Sequence, residues 1–326
     1  MPSFSRRHLL ALAPLVLAPA ALGGAGAQAE EARAADAPAG APAARTRLIL
    51  LGTSGGPLPR RGGVMFSNAV IVDGVVYVLD CGDGVGHRLA QARVPFKALR
   101  YIFITHQHSD HTAGYFPLLE EAWMSGMNGP LDVYGPPPMA AMTRAWFDLS
   151  RPEMDIRIYD GFPPFEDHVK VHDFTEPGII HRDERVTVTA AVVHHPPVAP
   201  AFALRFDCPD RSIVFSGDTS KSANVVALAK GADILVHEVE DMRLVEKMIR
   251  GMPGRNLEAG LRHHYETHTA PEAVGEVAAA AGVGTLVLSH FAPNVDDPDF
   301  NPAALVEAVR KNFQGRVVVG HDLLEL

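Results

Sequence analysis

The run Thr105-His106-Gln107-His108-Ser109-Asp110-His111 follows directly on the apolar segment Tyr101–Ile104, and no other feature restricts the fold as much. Four ligand-type side chains within six residues, all at the end of a strand-like segment, point to a metal centre. In an extended chain His106 and His108 project to one side, because side-chain direction repeats every two residues. The turn that follows carries Asp110 and His111 to a neighbouring face. Neutral imidazole and carboxylate suit zinc or a similar divalent ion, and three protein ligands plus water mark a catalytic site. One loop cannot complete two such sites, so the fold has to deliver further ligands from distant strand ends. Three segments offer them: Val192-Val193-His194-His195-Pro196, Phe215-Ser216-Gly217-Asp218-Thr219 and Leu288-Ser289-His290-Phe291, each with a His or Asp just past an apolar run.

Composition narrows the alternatives. The chain has 16 histidines but only 2 cysteines, too few for a disulfide scaffold or a cysteine-rich zinc module. Its formal charge of −9 argues against a strongly basic nucleic-acid binder, and 47% hydrophobic with 21% charged residues is ordinary for a globular protein. Cys81 and Cys208 could pair in an oxidising compartment.

Residues 1–29 read as an export signal. Arg6-Arg7, within Ser5-Arg6-Arg7-His8-Leu9-Leu10, resembles the bacterial twin-arginine signal, and the uncharged run Leu9–Leu22 follows it. That run contains Pro14 and Pro19 and falls short of the roughly 20 residues a spanning helix needs. Ala27-Gln28-Ala29 is the better cleavage site, ahead of Ala25-Gly26-Ala27; losing Arg6 and Arg7 takes the charge from −9 to −11. Residues 30–45, Ala- and Pro-rich without periodicity, form a tether. The expectation is a bacterial periplasmic or secreted protein with no membrane association after cleavage.

From residue 46 to 326 a single domain is expected. Strands are read at Arg47–Leu51, Ala69–Val72, Val75–Leu79, Tyr101–Thr105, Asp132–Tyr134, Val186–Val193, Phe202–Phe206, Ser212–Ser216, Ile234–His237, Leu286–Ser289 and Val317–Gly320. Asp73-Gly74 signals a tight hairpin. The Gly-rich loop Gly52–Pro57 lacks the Lys-Ser/Thr ending of a nucleotide-binding loop. Thr269-x-x-Glu272 reads as a capping box opening a helix through Ala281, and Asn301-Pro302 opens another to about Phe313. Residues 126–182, rich in Pro, Gly and Met, read as an insertion, either a cover over the site or an ordinary long connection that could bury a partner surface in a homodimer.

Taken in order, Thr-His-x-His-x-Asp-His, His195, Ser-Gly-Asp218 and Ser-His290 resemble the metallo-β-lactamase-fold hydrolases. Within that superfamily the chain is most similar to the branch of ribonuclease Z and the arylsulfatase-type enzymes. Asp80 in Leu79-Asp80-Cys81-Gly82, His237-Glu238 and His268-Thr269 match further motifs of the branch. The resemblance implies an α/β fold, a four-layer αββα sandwich with two metal ions at the sheet edge, most readily zinc, with manganese or iron as alternatives. It implies His106, His108 and His195 on the first ion, Asp110, His111 and His290 on the second, and Asp218 between them. His195 is chosen over His194 because the following Pro-Pro-Val-x-Pro-Ala-Phe-Ala is similar to the family's text after its ligand. Asp80 would hold the metal loop rather than bind a metal. His268, oriented by Glu238, would deliver a proton as general acid, and Asp110 counts with them as catalytic. His264 and His268 stand at i, i+4, but the segment lacks the Glu of a helical metalloprotease motif. His87, His168, His172, His181, His237 and His321 read as surface or hydrogen-bonded core residues.

The chemistry implied is attack by a metal-bridging hydroxide, since two divalent ions about 3.5–4 Å apart make such a nucleophile available near neutral pH. The expected activity is an exported dinuclear hydrolase of small anionic esters, phosphodiesters or aryl or alkyl sulfates. Alternatives are a lactone or carboxylic-ester hydrolase on the same site, a ribonuclease Z-like endoribonuclease, and a non-catalytic metal-binding protein. Against a tRNA substrate stand the negative charge, the export signal and the short interval from His195 to Asp218, where the family's tRNA enzymes carry a protruding arm. No nucleic-acid partner is expected.

Overall fold

Strand β1 (Thr46–Gly52) shows how the layers arise. Leu48 and Leu50 face one side and Ile49 and Leu51 the other, and all four are buried, so both faces of the strand are covered. β2 (Ser67–Val72) and β3 (Val75–Cys81) form the expected hairpin, and its turn residues Asp73 and Gly74 both have positive φ, 48° and 82°, as a type I′ turn requires. The structure, a computed structural model, describes residues 45–127, 129–292 and 297–326. The export signal and all but the last residue of the tether lie outside the described residues.

The first sheet adds β4 (Leu99–Phe103), β5 (Leu131–Gly135), β6 (Val169–Asp173) and β14 (Leu324–Glu325), in the order β14-β1-β2-β3-β4-β5-β6. The second comprises β7 (Gly178–Arg182), β8 (Thr187–Val193), β9 (Ala201–Asp207), β10 (Ser212–Phe215), β11 (Ile234–Glu240), β12 (Thr285–Ala292) and β13 (Arg316–Val319), in the order β13-β12-β11-β10-β9-β8-β7. Between the sheets Leu48, Leu50, Tyr77 and Phe103 meet Phe202, Phe206, Phe215 and Val236. Each fully buried side chain of this kind stabilises by about 2 kcal/mol, which keeps the strand ends in register.

Helices α1 (Val85–Gln91), α2 (Ser109–Thr112), α3 (Tyr115–Met124) and α4 (Met139–Tyr159) follow in the first half. α1, α3 and α4 cover the outer face of the first sheet through residues such as Leu89, Leu118 and Phe147. In the second half come α5 (Ala223–Leu228), α6 (Met242–Arg250), α7 (Leu257–Thr267), α8 (Pro271–Ala281) and α9 (Pro302–Arg310). α5, α8 and α9 cover the outer face of the second sheet with Val225, Val277 and Val309. The result is an αββα sandwich in one compact unit spanning residues 44–326. Among the described residues no helix is long and apolar enough to cross a membrane.

Several expectations change. Residues 126–182 are not an appendage: they supply β5, α4, β6 and β7, which extend both sheets. Pro152 inside α4 hides that helix from a pattern reading. Helix α8 is capped at Ala270, because the Thr269 hydroxyl donates to the Thr219 carbonyl at 2.6 Å instead of closing a capping box. Asn301 does cap α9, accepting from the Ala303 and Ala304 amides, and that helix ends at Arg310. Cys81 and Cys208 are free thiols: Cys81 packs against the helices outside the first sheet, and Cys208 against the core between the sheets.

Candidate metal centre

β3, β4 and β5 run parallel in one sheet, and β10, β11 and β12 in the other, so their C-terminal ends gather at one edge. β8 runs antiparallel to β9, and β9 to β10, which gives β8 the direction of β10. Functional side chains follow from these ends: Asp80 at the end of β3, His106–His111 after β4, His195 after β8, Asp218 after β10, Glu238 and Glu240 on β11, and His290 on β12. His195 is buried and faces the cluster, whereas His194 is exposed. Two residues there have left-handed backbones, Asp80 (φ 56°) and His290 (φ 52°), a conformation that costs a non-glycine residue energy and that recurs at functional sites.

Donor atoms of His106, His108, His195 and Asp218 lie within 4.8 Å of one another, and so do those of Asp110, His111, Asp218 and His290. Asp218 Oδ2 belongs to both groups, 3.7 Å from His106 Nε2, 3.9 Å from His195 Nε2, and 3.3 Å from both His111 Nε2 and His290 Nε2. All seven residues expected to bind metal therefore converge.

Outer hydrogen bonds decide where the imidazole lone pairs point. His195 Nδ1 sits 3.2 Å from the Thr267 carbonyl, which can only accept, so Nδ1 carries the proton and Nε2 is a bare lone pair. His111 Nδ1 is held by Asp80 Oδ2 at 2.9 Å, which turns Nε2 inward. Thr105 Oγ1 donates to Asp80 at 2.9 Å and therefore accepts from His106 Nδ1 at 3.0 Å, leaving His106 Nε2 buried without a partner. Inward nitrogens then face one another, His111 Nε2 with His290 Nε2 at 3.2 Å and His195 Nε2 with His108 Nδ1 at 3.0 Å. Lone pairs converging in a buried space repel unless a proton or cation lies between them. Two divalent ions fit these two groups.

The charges agree. Burial holds His106 and His108 below the usual imidazole range and takes His195 down to about 3. Burial also opposes charge on His111 and His290, but Asp218 and the neighbouring carboxylates outweigh it and raise both. Asp218 is pushed up by burial and held well below the carboxylate range by His290, His111 and His106. Asp110 and Asp218 thus call for positive charge at the second group, and protons on His111 and His290 supply it where a divalent ion otherwise would.

Glu238 lies beside this centre. Its Oε1 accepts from the Thr219 and Thr269 amides, each at 3.1 Å, and its Oε2 is 3.3 Å from His268 Nδ1. Burial, then Asp218 and Glu240, push the Glu238 carboxyl up, while the two amides favour its charged form. A proton shared between Oε2 and Nδ1 satisfies both sides.

A cavity of about 250 Å³ opens over these groups, lined by His108, Asp110, Asp218, His268 and His290. The rest of its lining is Gly56, Pro57, Leu58, Arg60, Ser109, Met248, Met252, Arg255 and Ala292, with Glu240, His263 and His264; none of the described residues of 126–182 lines it. The Gly-rich loop serves the ligands: Gly56 N donates to Asp110 Oδ2 at 2.7 Å, and a Cβ there would lie 2.2 Å from Asp110 Cβ. At Gly55 a Cβ would meet His290 Cε1 at 2.9 Å. Asp322 anchors the same loop, accepting from Thr53 N at 3.0 Å and Val64 N at 2.9 Å, and pairs with Arg88 at 2.8 Å. These residues, with Glu240 and Arg255, escape a sequence reading. Glu240 alone leaves a trace, two positions beyond Glu238 on one strand. Of the six histidines read as structural, none joins either group; His237 is buried with Nδ1 2.7 Å from the Glu238 carbonyl.

Residues 76–291 match the sequence pattern of the β-lactamase superfamily domain. A ribonuclease Z of Mycobacterium sp. (strain KMS) is 36% identical over 288 residues, covering 85% of this chain and 94% of that protein. The metallo-β-lactamase fold protein YhfI from Bacillus subtilis superposes with a TM-score of 0.63 at 20% identity, over 86% of this chain and 98% of that one. Human tRNase Z, short form, does so with a TM-score of 0.62 at 20% identity, again over 86% and 98%.

Proposed function

The chain belongs to the β-lactamase superfamily and is a metal-dependent hydrolase of ester bonds; on that premise we propose that it is an exported enzyme acting on small phosphodiesters that carry an apolar substituent. The observation carrying this reading is the cavity wall. Pro57, Leu58, Met248, Met252 and Ala292 offer an apolar surface beside the ligand groups, and Arg255 offers a cationic partner for one phosphate charge.

Ions held at the two groups supply Lewis acidity and a nucleophile near neutral pH. The rest is the work of the chain. His106, His108 and His195 would hold the first ion and Asp110, His111 and His290 the second, with Asp218 Oδ2 common to both groups. Asp80, Thr105 and the Thr267 carbonyl keep the imidazoles in the tautomers that bind metal. Glu238, fixed by two amides, holds a proton on His268 Nδ1. As an imidazolium, His268 then gives its Nε2 proton to the leaving-group oxygen. Leu58 and the two methionines exclude water around the substituent.

The mycobacterial ribonuclease Z favours a second reading, a ribonuclease Z-like endoribonuclease. Two observations support the small ester instead. The interval between His195 and Asp218 is taken up by the β9–β10 hairpin, with four residues between the strands and no arm. The charge of −9 opposes a polyanion. A panel of a chromogenic phosphodiester, an aryl sulfate, a lactone and a precursor tRNA, run on zinc- or manganese-loaded enzyme, tests the reading. Turnover of the phosphodiester is expected, lost with chelator and restored by metal, and Arg255→Ala should raise KM more than it lowers kcat. A kcat/KM for the tRNA above that for every small ester, or no turnover at all, would overturn it. Export is supported by Arg6-Arg7, and changing both to Lys should trap the protein in the cytoplasm.

A further inference from the structure

Next to the two groups lies a third set of donors that the hydrolytic reading does not use as ligands. Glu240 ends β11, two residues beyond Glu238. His264 lies in the last turn of α7 and His268 follows that helix as its C-cap residue, with the two rings 5.6 Å apart. His264 Nδ1 is 3.1 Å and His268 Nε2 3.6 Å from the same oxygen, Glu240 Oε1. One donor of each residue lies within 4.8 Å of the other two. Ligands 2.0–2.1 Å from a tetrahedral ion stand about 3.4 Å apart, and the two observed separations bracket that value. All three residues are buried yet line the cavity, so an ion arriving there also has room for water. Two imidazoles and a carboxylate are a zinc-class donor set.

We propose that Glu240, His264 and His268 form a third divalent-cation site, which takes up an ion beyond the two of the hydrolytic centre and thereby silences hydrolysis. Binding forms metal–nitrogen bonds at His268 Nε2 and His264 Nδ1: the N–H bond at His268 Nε2 breaks and its proton leaves to water, and the proton held between His264 Nδ1 and Glu240 passes through water to His264 Nε2. The leaving group then has no acid. Ion uptake stands on the geometry alone, while the silencing rests on the reading of His268 as proton donor.

Equilibrium dialysis of the holoenzyme against rising Zn²⁺ counts the sites. The wild type should reach three ions per chain, and His264→Ala and Glu240→Gln should each stop at two. Glu240→Gln is isosteric and keeps an oxygen for His264, which guards against a loss that merely reports unfolding; circular dichroism checks both variants. Excess Zn²⁺ should slow a phosphodiester with an alkoxide leaving group about a hundredfold, the contribution expected of a general acid. A nitrophenolate leaving group needs no proton and should be nearly unaffected. Wild type that saturates at two ions while turning over substrate overturns the third site and leaves the hydrolase reading intact. Three ions in both variants also overturn it. Equal slowing of both leaving groups overturns the silencing. A third ion without turnover of any ester, by contrast, refutes the hydrolase reading and not the site.

Discussion

Replacing Asp80 by Asn tests whether metal affinity here depends on imidazole tautomers. Asp80 belongs to neither ligand group. Its Oδ1 accepts from Thr105 N at 2.8 Å, and its Oδ2 accepts from His111 Nδ1 at 2.9 Å and from Thr105 Oγ1 at 2.9 Å. Asn is nearly isosteric and can keep the Thr105 amide bond with its carbonyl oxygen. Its NH₂ then faces His111 Nδ1, and two donors cannot share that contact. His111 must move its proton to Nε2, the nitrogen 3.3 Å from Asp218 Oδ2 and 3.2 Å from His290 Nε2. One of the inward lone pairs at the second group is lost. Removing such a support costs about 10–100-fold in metal affinity, or roughly 1.4–2.7 kcal/mol. His106 shares Thr105 but keeps its own acceptor, so the first site should weaken less. Competition against a chromophoric chelator separates the two equivalents. The second ion of Asp80→Asn should leave at a 10–100-fold lower chelator concentration, with the first shifted by less than about threefold. Equal affinity for both ions in mutant and wild type would refute the tautomer argument, and so would equal weakening of both.

Three more outcomes follow from the same geometry. Gly56→Ala forces Asp110 away, since the new Cβ would lie 2.2 Å from Asp110 Cβ; it should cost about 1–3 kcal/mol in a urea melt and abolish retention of the second ion. Asp322→Ala leaves Arg88 and the Thr53 and Val64 amides without their acceptor; about 3 kcal/mol should be lost, and hydrogen exchange of residues 53–64 should quicken. Metal affinity should also depend on pH differently at the two sites. In the metal-free protein His111 and His290 have raised pKa values and hold protons that the second ion must displace, whereas burial keeps His106, His108 and His195 neutral. Lowering the pH from 8 to 6 should therefore weaken the second ion more steeply than the first, as titration calorimetry in two buffers of different ionisation enthalpy would read as extra protons released. Equal pH slopes would contradict the charge assignment.

Much of the site is legible in the chain because each ligand is tied to a local pattern. His106, His108, Asp110 and His111 sit in one loop, and His195, Asp218 and His290 each follow or end an apolar run whose period sets a strand. A strand end is a local property, and the parallel arrangement of β4, β10, β11 and β12 then carries those ends to one edge. Near-continuous apolar runs such as Leu48–Leu51 likewise announce strands covered on both faces, which a four-layer sandwich provides.

Other features have no local cause. Residues 126–182 look like an insertion because Pro152 and scattered glycines blur the period, and only pairing with β4 and β8 makes β5, β6 and β7 strands of the two sheets. Thr269 looks like a helix cap until the centre claims its amide for Glu238 and its hydroxyl for Thr219. The requirement at Gly56 is contact with a residue 54 positions away, and Glu240 acquires partners only when α7 folds over β11. Sequence by itself determined which residues can bind metal and which strands present them, since both follow from side-chain chemistry and the two-residue period. Tertiary structure alone decided the imidazole tautomers, the cavity wall and the third set of donors, because each depends on atoms brought together from distant parts of the chain.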